Sequence, residues 1–251
     1  MSPPLIHKEH AAHLDIKSAT GPDSAAAKKH FLHTLDVSGL AGDSETSLAT
    51  LTLPAVLPSV TLSDWQMAAC TTENPIAFVL HVFLSLSTAL RFLRRQCVLE
   101  HGDLHDGNVL LRLHDDSPLG LPELVLIDFE AQKVVDQEVS RDYFDLLAIV
   151  RELGSGAEDG VSKAGTDWGW AGFKQAVTLA LMHGDARARR RLEVSQFEEL
   201  WGRWKDIAME GREKVRKEAV AVTRELFEKA AVQKGECATD EELRKAVDSM
   251  S

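Results

Sequence analysis

The stretch His101-Gly102-Asp103-Leu104-His105-Asp106-Gly107-Asn108, followed further along by Leu126-Ile127-Asp128-Phe129-Glu130, decides how this chain is read. Asp103 and Asn108 share one polar loop, from which both can point into one cleft. Asp128 comes directly after the apolar run Leu124 to Ile127, a strand that delivers its carboxylate to the same cleft from a neighbouring loop. Phosphoryl transfer asks little covalent chemistry of a protein. It needs a carboxylate to orient the attacking hydroxyl and oxygen ligands to hold magnesium against the phosphates. Two acids and an amide supply that set.

Around these loops the sequence reads strand, loop, strand, turn, strand. Val98-Leu99 leads in, Val109 to Leu113 leads out, Asp115 to Pro118 turns, and Leu124 to Ile127 returns, with the chemically able residues only in the loops. Upstream, Asn74-Pro75 signals a helix start, and the helix to about Gln96 is apolar nearly all round in its first half, which predicts a central core helix. Its most apolar part, Ile76 to Leu90, includes His81 and several serines and is shorter than the ~20 residues that span a bilayer. Downstream, Asp142 to Leu153 has helical spacing and stops at Gly154-Ser155-Gly156. Helical patterns follow at Phe197 to Ile207 and Glu213 to Lys234.

The two motifs, correctly ordered and joined by a hairpin, resemble the H-G-D-x-H-x-x-N loop and the I-D-F-E signature of one branch of the protein kinase-like superfamily: the aminoglycoside phosphotransferase and choline kinase-like branch. His105, where protein kinases usually carry lysine, points the same way. The resemblance implies that Asp103 is the catalytic base, with His101, the loop's anchor, and His105 beside it in the catalytic loop. It implies Asn108 and Asp128 as Mg2+ ligands, and these two with Lys17 as the residues that bind ATP. Asp106 stands where the family commonly has proline. Arg141-Asp142 matches the acidic residue that buttresses the catalytic loop from below.

The implied fold is α+β and kinase-like, with a mainly helical C-terminal lobe over 61–251 that includes the helical tail. Residues 1–60 are read as a remnant N-terminal β lobe and hinge. The implied activity moves a phosphoryl group from Mg-ATP to a hydroxyl of a small molecule or a protein. The alternative is a catalytically inactive pseudokinase or a repurposed binding protein of the same fold.

The alternative arises from the N-terminal part. A kinase carries a Gly-rich loop over the phosphates and a strand lysine paired to a helix glutamate, yet no glycine precedes Gly21. Leu14 to Lys17 reads as the lysine-bearing strand, and Ser24 to Leu35, with Asp23 as N-cap, as the paired helix. That helix holds Lys28 and Lys29 and no glutamate, so a plain surface lysine is the rival reading of Lys17. Leu48 to Val56 reads as a further short strand, Leu53 to Pro58 as the hinge, and Thr61 to Trp65 as the start of the helix after it.

The net charge of −11 argues against nucleic acid or an anionic membrane as a bulk partner, since both attract basic surfaces. The three cysteines, Cys70, Cys97 and Cys237, are scattered and odd in number, which fits a reducing, cytoplasmic setting without a disulfide framework. A two-metal phosphoesterase would need an upstream D-x-H and further histidines, and neither occurs in order. His7, His10 and His13 have a helical spacing that suits a metal, although a polar, frayed terminus is the commoner explanation. Gly154 to Gly160 follows a helix instead of a strand, so it is not a nucleotide loop. Trp201, Trp204 and the tail helix are read as packing against the large lobe, with a partner-binding helix as the other possibility.

Overall fold

The structure, a computed structural model, describes residues 5–21, 24–32, 35–38, 50–56, 58–69, 75–113, 120–129, 132–133, 137–155, 169–183, 191–214 and 216–233. Its centre is helix α4 (Ile76–Phe92), in which all but Thr88 and Arg91 are buried. By length and composition Ile76–Cys97 would pass as a membrane span, yet 89% of its most apolar window is buried inside the fold. A helix apolar on every side has to be surrounded. Around α4 pack α5 (Arg141–Ser155), α7 (Val194–Lys214) and α8 (Arg216–Gln233), while α6 (Trp170–His183) packs on α5 and α7. Phe83 meets Phe173 and Trp201 at ring separations of 5.0 and 5.7 Å, and Trp204 meets Phe173 at 5.7 Å. The tryptophans and the tail are therefore core. Lys229 Nζ of α8 also donates to the Ala68 carbonyl, 2.8 Å away, at the end of α3 (Leu62–Ala68).

Helix α4 runs into a π-helical turn, Leu93–Cys97, that ends at Val98 in the left-handed region (φ 55°) and turns the chain into β3 (Leu99–Glu100). After the polar loop come β4 (Val109–Arg112) and β5 (Glu123–Leu126), antiparallel with Val109 opposite Leu126. Both edges of this hairpin are occupied. Leu126 N donates to the His30 carbonyl and Leu111 N to that of Val60, each at 2.8 Å. The remaining pairs are short: β1 (Asp36–Ser38) with β2 (Thr50–Thr52), β6 (Gln132–Lys133) with β3, and β7 (Val139–Ser140) with β8 (Leu192–Glu193). The architecture is α+β, a largely helical body with a reduced sheet content.

Two expectations for the N-terminal part are corrected. Leu14 to Lys17 is no strand: it lies in helix α1 (Leu5–Ser18). A strand would put Leu14 and Ile16 on one face, whereas Leu14 is 49% exposed and Ile16 only 1%, with Ala12 one turn before it also buried. The expected helix 24–35 ends early, as α2 (Ser24–Lys28). The hydrogen bonds that tie His30 to β5 take the backbone out of helix. Residues Asp23, Gly39 to Asp43, Asn74, Asp115 to Pro118 and Gly156 to Gly160 lie outside the described residues, as do Cys70 and Cys237. Of the strand expected over 48–56, the described part is β2 followed by chain without regular secondary structure.

Candidate active site

The polar loop is held from below by Asp142, in the first turn of α5. Its carboxylate accepts from His101 N at 2.6 Å and from Gly102 N at 3.1 Å. Gly102 has φ 87°, a conformation that costs glycine little and other residues more, so two successive N–H groups turn toward one acceptor. Burial pushes the Asp142 pKa up, and the two N–H donors oppose that shift. The buttress that the resemblance implies is thus built from backbone hydrogen bonds.

His101 joins this loop to the next. Its buried ring lies 4.6 Å from the Phe129 ring, and Nε2 is 2.9 Å from the Ile127 carbonyl. Burial lowers the His101 pKa to about 4, so the imidazole is neutral at pH 7. A carbonyl accepts only, which puts the proton on Nε2 and leaves Nδ1 to accept from Asp103 N at 3.4 Å. One ring thereby fixes the residue before Asp128 and the backbone of Asp103.

The mouth of the β4–β5 hairpin completes the juxtaposition. Ile127 N donates to the Asn108 carbonyl at 3.1 Å, so Asn108 and Asp128 lie at the same end of the ladder. Asn108 Nδ2 donates to the Asp103 carbonyl at 3.0 Å, an orientation that commits the nitrogen and leaves Oδ1 as the group able to ligate a cation. Asp128 is exposed and has φ 60°; a non-glycine residue in that region is uncommon and concentrates where function holds the backbone. A carboxylate and an amide oxygen are the hard ligands that magnesium prefers.

Asp103 is half-exposed. Its Oδ1 lies 3.7 Å from Arg141 Nη2 and its Oδ2 3.8 Å from His105 Nε2. His105 caps the 3-10 turn Asp106–Asn108, its Nδ1 accepting from Gly107 N at 3.1 Å, and Asp106 Oδ1 accepts from the same N–H at 3.0 Å. Asp106 thus contributes to the turn through its side chain.

Lys17 is not brought to this group by a strand. It lies exposed near the C-terminus of α1, and its carbonyl accepts from Lys28 Nζ at 2.8 Å. Helix α1 nevertheless reaches the site's underside, where the His13 ring meets Phe129 edge-on at 5.7 Å and Phe31 meets it at 5.9 Å. Within α1, Glu9 lies 3.9 Å from His13 Nε2, and no lysine is paired with it among the described residues. His13 is therefore packed in the core beside Phe129. Among the described residues no group of three or more His, Cys, Asp or Glu side chains forms a metal cluster, and the side chain of His7 lies outside them. Sequence reasoning also passed over Arg141 as a neighbour of Asp103. A signal for it existed, since a cation at the first position of a helix opposes the helix dipole and calls for another partner.

Core helix, buttressed polar loop, hairpin and second acidic loop thus follow one another in the order that the kinase-like resemblance implies. No family model and no curated protein matches the chain. Among solved structures, the crystallised PknI kinase domain of Mycobacterium tuberculosis is similar over 83% of this chain and 83% of that one, at 18% identity and a TM-score of 0.45.

Proposed function

We propose that this chain is a kinase-like phosphotransferase of the aminoglycoside phosphotransferase and choline kinase-like branch, moving the terminal phosphoryl group of Mg-ATP to a hydroxyl of a small molecule or protein. The observation that carries the reading is the convergence of Asp103, Asn108 and Asp128 on one end of the β4–β5 ladder, through the bonds of Asn108 with Ile127 and Asp103 and of His101 with Ile127.

In this reading the Asp103 carboxylate accepts a hydrogen bond from the substrate hydroxyl. That oxygen attacks the γ-phosphorus, the bond to the β–γ bridging oxygen breaks, and the hydroxyl proton passes to Asp103 as ADP leaves. Asn108 Oδ1 and the Asp128 carboxylate would hold Mg2+, which supplies charge neutralisation for the phosphates. His101 and Asp142 keep the loop in register without touching substrate. The acidic surface, with a net charge of −11, favours neutral or cationic acceptors over phosphate-rich ones.

Replacement of Asp103 by alanine is expected to lower phosphoryl transfer about 10²- to 10⁴-fold while the protein still folds and melts cooperatively. A second reading, a binding module without turnover, is favoured by the position of Lys17 on a helix away from the loops. It predicts a wild-type rate no higher than that of Asp103→Ala in an ADP-release assay over a panel of aminoalcohol and sugar hydroxyls.

A further inference from the structure

We propose that Arg141 is the positioning residue for Asp103, a role that rests on the phosphotransferase reading above. The guanidinium stands between two carboxylates of different surroundings. Nε is 3.2 Å from Oδ2 of Asp145, one turn further along α5 and largely buried, and Nη2 is 3.7 Å from Oδ1 of the half-exposed Asp103. The buried acid anchors the fork and the free end reaches the loop. A planar guanidinium suits this task because its donors keep a fixed mutual geometry, which a lysine ammonium does not.

The position of Arg141 in its helix supports a role outside α5. It is the first residue of the helix, where the helix dipole disfavours a cation. Asp145 offsets that cost from within the helix, at the i,i+4 spacing. Helix α5 thus grips the catalytic loop twice from its first turn. Asp142 accepts from the backbone N–H groups of His101 and Gly102, and Arg141 makes an ion-pair contact of 3.7 Å with the side chain of Asp103.

The two oxygens of Asp103 face different neighbours. Oδ1 faces Arg141, and Oδ2 faces the side of His105. Both separations, 3.7 and 3.8 Å, exceed hydrogen-bond length, so Arg141 acts on Asp103 through its charge and sets which way the carboxylate faces. Arg141 also supplies a permanent positive charge beside the base, on a loop whose own His105 offers one only when protonated. A misorientation of about 1 Å at a reacting group costs on the order of 100-fold in rate, which sets the size of effect such a clamp produces.

The test measures ADP release from Mg-ATP by the full chain, with water as the acceptor, for wild type, Arg141→Gln, Arg141→Lys and Asp145→Asn. Arg141→Gln is expected to lower kcat about 10- to 100-fold with the KM for ATP unchanged. Arg141→Lys restores part of the loss, and Asp145→Asn falls between. A wild-type kcat in Arg141→Gln, or a loss carried by KM instead, overturns the proposal.

A melting-temperature cycle over Arg141→Gln and Asp103→Asn needs no turnover. The Arg141 substitution is expected to lower the melting temperature less in the Asp103→Asn background than in wild type, and equal losses in both overturn the clamp. If wild type releases no ADP while the cycle is non-additive, the phosphotransferase reading fails and the contact between Arg141 and Asp103 stands.

Discussion

The loops around β4 and β5 and the N-terminal segment that covers them differ in what holds them. In the first, polar side chains hold the structure. Asp142 binds the N–H groups of His101 and Gly102, His101 binds Ile127, and Asn108 binds Asp103. In the second, apolar packing decides. Ile16 belongs to the main core and His13 and Phe31 lie against Phe129, so α1 and the chain at 30–31 are shaped by what they cover. Polar motifs fix their own geometry, whereas a covering segment takes its form from its partner.

The largest effect that would expose this division is acid destabilisation. Three buried imidazoles bind carbonyls of one short segment: His81 at Pro122, His30 at Leu124 and His101 at Ile127. Burial lowers their pKa values to about 3, 4 and 4, from 6.5. Above the unfolded value of 6.5 all are neutral in both states. Below it the unfolded chain takes up protons first, so stability falls as pH drops from 6.5 toward 4, at about 1.4 kcal/mol per unit of pKa difference. The loss amounts to several kcal/mol. Chemical denaturation at pH 7 and pH 5 checks it, and His81→Gln, which retains a donor without titrating, should flatten the slope.

Next in size is Ile16→Ala. If α1 is core, the loss is about 2–5 kcal/mol, read as a lower denaturation midpoint; an appended helix would lose far less. Asp142→Ala leaves two buried N–H groups without their acceptor and should cost about 2–3 kcal/mol together with the order of the loop, visible as fast amide exchange at His101 and Gly102. The smallest change is a gain. Val98 is exposed and has φ 55°, so Val98→Gly should stabilise the protein by about 1 kcal/mol, raising the melting temperature by a few degrees.

The same division explains what the sequence made legible. The hairpin and the central helix α4 were readable because each follows from a pattern of neighbours in the chain, and the buttress at Asp142 because the family resemblance implies it. Helix α1 was not, because Leu14 and Ile16 alternate with polar residues as in a strand, and the burial of Ala12 and Ile16 on one helical face depends on a distant surface. Helix α2 stops short for a similar reason, since β5 claims the backbone at His30. The pairing of Arg141 with Asp103 joins residues far apart in sequence, and only the charge at the first position of α5 hinted at it.

The central claim is that the two loops form one magnesium-dependent nucleotide site. Thermal shift with ATP, with and without Mg2+, on wild type and Asp128→Ala tests it most directly. The account predicts a rise in melting temperature that requires both magnesium and Asp128. A rise that survives Asp128→Ala, or no rise in wild type, would contradict it.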